Sequence, residues 1–196
     1  MARKCTYVYF TSAVFFPLSL ALFPTEGYEE MNSVKLFVAI LFLVIVQPVL
    51  AQASQVGSAA SDFNLTDLNG NTVSLQQFKG KVLFLDFWAP WCDECREEIP
   101  ALDALYRKYN NDGLVVIGAD IDTSEKLLMD FLQKAPVSFA IVMDKKGAMR
   151  RSYRFRTLPT AFIIGKDGII RYVHLGYGNE FLQMYEKEII ELLKQP

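Results

Sequence analysis

Residues 83–95 read Leu-Phe-Leu-Asp-Phe-Trp-Ala-Pro-Trp-Cys-Asp-Glu-Cys. The first part is an apolar run interrupted only by Asp86, and such a run is typical of a strand buried on both faces. A proline ends the run, and the two acidic residues between the cysteines suit the first turn of a helix. The stretch therefore predicts a buried strand followed directly by a helix, with Cys92 at the junction and Cys95 one turn further along.

A cysteine at the start of a helix has chemistry that depends on its position. Unpaired N–H groups and the helix dipole favour a thiolate there, and the thiolate is the species that attacks a disulfide. Cys95 is expected to be less exposed and able to close a disulfide with Cys92. We therefore predict that Cys92 attacks the substrate, that Cys95 releases it, and that this redox-active disulfide needs no other cofactor.

Outward from this junction, strands alternate with helices. An Asn-Gly step between residues 63–65 and 72–75 favours a hairpin turn, and a second hairpin is predicted over residues 160–175. The remaining predicted elements are strands at 81–87, 114–119 and 139–142 and helices at 92–109, 123–135, 147–153 and 180–193. The alternation predicts an α/β fold with a parallel core, to which the closing hairpin adds antiparallel strands.

Composition limits the classes of function. The chain has 196 residues and a formal net charge of −2 at pH 7, which suits one domain with an N-terminal extension. No basic field indicates nucleic acid, and no polybasic run indicates an anionic membrane surface. Of the three cysteines, Cys5 lies in the extension. The folded part therefore holds one close pair, whereas a disulfide scaffold needs more cysteines.

The first 62 residues divide into three predicted segments. Residues 31–53 have the form of a secretory signal, with one positive charge, an apolar run and a small-x-small cleavage pattern. Residues 1–30 form an apolar extension, interpreted either as an over-extended gene start before Met31 or as an uncleaved membrane anchor. Residues 54–62 are small and polar and predict a linker to a domain at 63–196. We therefore expect a periplasmic or other extracytoplasmic location.

Three segments resemble a known superfamily. Residues 83–95 closely resemble the active-site segment of thioredoxins. Residues 95–100 (Cys-Arg-Glu-Glu-Ile-Pro) and the hairpin at 67–72 resemble the exported TlpA/ResA-like branch, and residues 157–162 resemble the cis-proline loop. The resemblance covers about residues 60–193. It implies disulfide exchange on a thioredoxin fold, with a central mixed sheet flanked by helices, an N-terminal β-hairpin and an inserted helix.

The resemblance also implies where substrate binds. Pro159 is expected to be cis and to face the Cys92 sulfur. The backbone of Leu158, next to Thr157, is expected to pair with the substrate chain, which gives affinity with little sequence choice. Trp91 is expected to shield Cys92 and to offer an apolar docking face, as well as filling part of the core.

A buried acid is implied as the proton acceptor. Asp86 matches the carboxylate that handles protons in thioredoxin, and burial would raise its pKa so that it accepts the Cys95 proton. A plain buried, hydrogen-bonded carboxylate is the alternative interpretation. ResA-like sequences tend to have a neutral residue there and an acid after the next strand, a position that either Asp120 or Asp122 matches.

The dipeptide between the cysteines, Asp93-Glu94, departs from the family pattern. Two carboxylates oppose a thiolate at Cys92, and a less stabilised thiolate makes the couple less oxidising. We therefore predict a reductase. The resemblance implies that its substrates are oxidised exported proteins, for example apocytochrome c, and that a membrane thiol donor supplies the electrons; we expect a monomer. The alternatives are a disulfide oxidase or isomerase, or a non-enzymatic metal- or partner-binding thioredoxin-like module.

Other readings of the same residues remain open. Cys92 and Cys95 can form half of a zinc or iron–sulfur site, although such sites need about four ligands. With His174 they would suit a copper chaperone, while an ordinary strand residue is the simpler interpretation of that histidine. A peroxiredoxin-like peroxidase shares the fold but needs its reactive cysteine in another context. The basic run at 150–156 is either a solvated face or a surface that steers an acidic partner.

Overall fold

The computed structural model describes residues 55–178 and 180–196. The predicted signal peptide and apolar extension lie outside these residues. Within the described ranges, no helix is both long and apolar enough to cross a bilayer. The strands are β1 (Asn64–Thr66), β2 (Thr72–Ser74), β3 (Val82–Trp88), β4 (Leu114–Asp120), β5 (Ala140–Met143), β6 (Thr160–Ile164) and β7 (Ile170–Leu175). The helices are α1 (Asp93–Tyr109), α2 (Glu125–Lys134), α3 (Ala148–Tyr153) and α4 (Phe181–Leu193), with 3-10 turns at Leu75–Phe78 and Asn110–Asp112.

Five strands form a mixed sheet in the order β5-β4-β3-β6-β7. Strands β3, β4 and β5 run parallel, whereas β6 pairs antiparallel with both β3 and β7. Strands β1 and β2 form a separate two-stranded hairpin. The predicted α/β class, with a mixed sheet, flanking helices and an N-terminal hairpin, is confirmed.

Strand β3 lies at the centre of the sheet, and all seven of its residues are buried. Because side chains alternate along a strand, it contributes to two cores. Phe84 and Trp88 pack in the cluster that contains residues of α1 and α4, whereas Leu85 and Phe87 pack in the cluster that contains α3. Each such side chain contributes roughly 1.5–3 kcal/mol when fully buried. Asp86 alternates with Leu85 and Phe87, so it lies on the face that packs against α1.

Short segments cover both edges of the sheet, which would otherwise expose unpaired backbone groups. At the β5 edge, the backbone N–H of Leu68 donates to the Ile141 carbonyl at 3.2 Å. At the β7 edge, Gly57 N–H donates to the Ile170 carbonyl at 2.8 Å, and Ile170 N–H donates to the Ser58 carbonyl at 2.9 Å. The part of the predicted linker from 55 onward therefore packs on the domain, because its backbone completes the hydrogen bonding of an edge strand.

Candidate active site

The two cysteines lie where the sequence predicts, at the junction of β3 and α1. Cys92 is the N-cap residue of α1, and Asp93 is the first residue of the helix. The two sulfurs are joined in a disulfide, and the backbone N–H of Cys95 donates to Cys92 Sγ at 3.2 Å. Cys95 is fully buried, whereas Cys92 is half-buried. This difference in access fits an attacking thiol followed by a resolving one.

The acidic dipeptide lies in the first turn of α1 with both residues exposed. Asp93 pairs with Arg96 at 3.5 Å, and both side chains are largely in solvent. The carboxylate of Glu94 accepts the backbone N–H of Tyr177 at 3.3 Å. Glu94 therefore ties the start of the helix to the loop after β7 as well as adding negative charge near Cys92.

Asp86 is fully buried, and neither of its carboxylate oxygens has a hydrogen-bond partner among the described residues. Burial, and secondly the charge of Glu98, raises the pKa of Asp86 well above its usual value. The described residues therefore supply none of the hydrogen bonds that the alternative interpretation of Asp86 requires. A buried, unpaired acid on the face toward α1 is a strong candidate for proton transfer.

Glu98 is a second buried acid, which the sequence reasoning missed. Its side chain is fully buried in α1, and Tyr185 Oη donates to its Oε1 at 2.7 Å, while Oε2 has no partner in the described part of the chain. Burial raises the pKa of Glu98 to about 7, against the lowering effect of the Tyr185 hydrogen bond. The inward stripe of α1 contains Cys95, Ile99 and Leu102. That helical spacing was the available signal, because it includes position 98.

Tyr185→Phe should lower the free energy of unfolding by about 1–3 kcal/mol, because it leaves a buried acceptor without its donor. The loss should be larger at about pH 8 than at about pH 5, since Glu98 is ionised above its pKa of about 7. Urea unfolding at the two pH values measures this. Tyr106→Phe is the control, because the Tyr106 hydroxyl has no hydrogen bond among the described residues. Equal losses from the two variants would contradict the prediction.

The structure distinguishes the two acids that follow β4. Asp120 is fully buried at the end of the strand, and burial raises its pKa to about 7, opposed by the backbone N–H of Asp122. The carboxylate of Asp122 accepts the backbone N–H of Ser124 at 2.7 Å and shapes the turn before α2. Of the two, Asp120 is the fully buried one, as expected of a functional acid.

The loop before β6 carries the predicted substrate-binding residues. The peptide bond between Leu158 and Pro159 is cis, as the resemblance implies. Leu158 and Trp91, which is 59% exposed, line a cavity of about 450 Å³ together with Cys92. Thr157 is exposed but does not line this cavity, and its carbonyl accepts the Thr160 hydroxyl at 2.8 Å. The fold therefore places Leu158 in the cavity that Cys92 lines, and Thr157 outside that cavity.

His174 contacts residues of α4. Its Nε2 is 2.7 Å from Glu188 Oε2, and its ring packs against Tyr185 with centroids 5.0 Å apart. In the described ranges, no group of three or more His, Cys, Asp or Glu side chains is placed to hold a metal ion. The contacts of His174 are those of a residue that joins β7 to α4.

The fold and the site together define a thioredoxin-fold protein with a redox-active disulfide at a helix N-terminus. Comparisons with known proteins agree. The AhpC/TSA family matches residues 56–173. The thiol-disulfide oxidoreductase ResA of Bacillus thuringiensis subsp. konkukian is 36% identical over 136 residues, which are 69% of this chain and 79% of the relative. The thioredoxin-like protein YneN of Bacillus subtilis is 38% identical over 125 residues, covering 62% and 72%.

A solved structure supports the same grouping. A putative thiol:disulfide interchange protein DsbE from Chlorobium tepidum has a TM-score of 0.67 at 33% identity, over 70% of this chain and 96% of that one. The chain belongs to the AhpC/TSA family and, within it, to the ResA-like thiol–disulfide oxidoreductases.

Proposed function

We propose that this protein is a reductase of oxidised exported proteins. The observation that carries the direction is the Asp93-Glu94 dipeptide, which lies exposed at the helix end that Cys92 caps. Negative charge there opposes the Cys92 thiolate, and so favours donation of electrons by the dithiol form. The buried acids Asp86 and Glu98 add negative charge behind the pair whenever they are ionised.

The exchange proceeds in two steps. The Cys92 thiolate attacks one sulfur of the substrate disulfide, so a mixed disulfide forms, and the other substrate sulfur leaves as a thiolate that takes a proton from solvent. Cys95 then gives its proton to the Asp86 carboxylate, and its sulfur attacks Cys92 Sγ. The mixed disulfide breaks, the intramolecular disulfide forms, and the second substrate thiolate leaves. Two electrons have then passed from the dithiol to the substrate.

The proposal also covers the compartment, the substrates and the electron donor. The signal-like pattern at 31–53 and the resemblance to the exported TlpA/ResA-like branch support export to the periplasm or another extracytoplasmic compartment. The likeness to the TlpA/ResA-like branch supports substrates such as apocytochrome c and a membrane thiol donor that restores the dithiol. We propose that the protein acts as a monomer with no cofactor besides its disulfide, and that Trp91, Thr157, Leu158 and Pro159 contact the substrate.

The reduction potential of the purified protein, measured by equilibration in glutathione and dithiothreitol buffers, tests the direction. We expect a value near that of thioredoxin, about −270 mV, and not near that of a strong oxidant, about −120 mV. Replacing the dipeptide by uncharged residues (Asp93→Asn with Glu94→Gln) should move the potential upward. A wild-type value near the oxidant would mean that the protein oxidises or isomerises its clients.

A further inference from the structure

Residues of opposite charge line the cavity beside the disulfide. Its volume is about 450 Å³, and Cys92 opens into it. Its apolar lining consists of Trp91, Ile121 and Leu158. Asp93 and Glu94 line it together with Arg150 and Arg156. A polypeptide that presents a disulfide to Cys92 therefore meets charged side chains of both signs.

Among the charged residues that line the cavity, the arginines are the ones whose side chains have no ion-pair or hydrogen-bond partner in the described part of the chain. Asp93 pairs with Arg96, and Glu94 accepts a backbone N–H, so both acids have partners. Arg150 and Arg156 are exposed, and neither has an ion-pair partner in the described part of the chain. An arginine fork without a partner binds carboxylates well, because its geometry matches two carboxylate oxygens.

Arg150 is held by contacts within the fold. The Asp144 carboxylate accepts the backbone N–H groups of Ala148 and Arg150 at 2.8 and 2.9 Å, which fixes the first turn of α3. The guanidinium of Arg150 lies over the Phe155 ring, 5.9 Å from its centroid. Arg156 is only two residues before Leu158, so it lies at the end of the loop expected to pair with substrate.

We infer that this cavity selects polypeptides with an aspartate or glutamate next to or near the disulfide cysteine in sequence, because Cys92 and both arginines line the same cavity. The acidic side chain binds Arg150 and Arg156 while the cysteine reaches Cys92. The inference rests on the proposed reductase function and names a substrate class for the same site.

Three otherwise identical peptides test this inference. Each carries Asp, Asn or Lys next to its cysteine, and each cysteine forms a mixed disulfide with 2-mercaptoethanol. The rate constant for reduction by the reduced full-length protein should be about tenfold higher for Asp than for Lys at low salt, a ratio that added salt should shrink. In the double variant Arg150→Glu with Arg156→Glu, the order should reverse.

The matched control is Arg151→Glu with Arg154→Glu, which changes the same charge in the same basic run at positions that do not line the cavity. It should keep the wild-type preference for Asp. Equal rates for the three peptides, or the same reversal in the control variant, would overturn the inference. Reduction of the uncharged disulfide of 2-mercaptoethanol reports separately on the proposed function. A wild-type protein that fails on this disulfide lacks the reductase activity, whereas one that reduces it without preferring Asp lacks only the selectivity.

Discussion

Cys95→Ser should leave the protein covalently attached to its substrate. Cys92 can still attack, but no second thiol lies one helical turn away to release the mixed disulfide. Because an intramolecular thiol acts at a very high effective concentration, turnover should fall at least about 10³-fold. Mass spectrometry after acid quenching should find nearly all of the reduced variant as a mixed disulfide with a cysteine-containing peptide.

Cys92→Ser provides the comparison that fixes the order of the two thiols. Cys95 is fully buried, so its thiol should form almost no mixed disulfide in this variant. Cys5 is present in both serine variants, so trapping is read on the peptide that contains positions 92 and 95. Both serine variants lose the disulfide, so loss of the disulfide alone cannot explain a difference between them. Equal trapping by the two variants would show that either cysteine can attack and would contradict the assigned roles.

Asp86→Asn should slow release of the mixed disulfide by about 10²-fold near pH 7, a typical effect of losing a positioned proton acceptor. An amide cannot take the proton from Cys95, so the step must wait for the thiol to ionise by itself. A cysteine thiol ordinarily does so at about pH 8.5. The decay of the mixed disulfide, followed by rapid acid quenching across a pH series, should therefore shift toward alkaline pH in this variant.

The variant Glu98→Gln tests whether Asp86 accepts the Cys95 proton or only supports the structure. The charge of Glu98 contributes to the raised pKa of Asp86, so its removal should lower that pKa and move the pH profile of release toward acid. The two variants are thus expected to shift the profile in opposite directions. Shifts in the same direction, or an unchanged profile in Asp86→Asn, would mean that Asp86 does not accept the proton.

The free energy of unfolding of the oxidised protein should fall as pH rises. The pKa of Asp86 is raised in the folded protein, so its contribution to the free energy of unfolding is full below the unfolded pKa and is lost as pH rises through the folded pKa. The oxidised protein should therefore lose stability above about pH 4, the ordinary pKa of an aspartate. Asp86→Asn should flatten this dependence in urea unfolding, although Glu98 and Asp120, with pKa values of about 7, preserve part of it.

Tertiary structure determines which of the acidic side chains are buried. Glu97 and Glu98 are adjacent in the sequence, yet Glu97 is exposed and Glu98 is buried beneath Tyr185 of α4. Helical spacing could have placed position 98 inside, but no local pattern names a donor that lies 87 residues away. Similarly, Asp120 and Asp122 both follow a predicted strand. The sheet shows that β4 ends at Asp120 and that the Asp120 side chain is buried.

Local sequence is enough to specify the strand, the helix and the cysteine pair at their junction. These depend on neighbours within a few residues: an apolar run long enough for a buried strand, acids for the first helical turn, and two thiols one turn apart. Tertiary structure alone decided what surrounds the pair. Arg150 and Arg156 reach the same cavity as Cys92, and Tyr185 reaches Glu98, because the sheet and its packed helices bring together residues far apart in the chain. Such contacts form through burial of non-local surfaces, which a short sequence pattern does not encode.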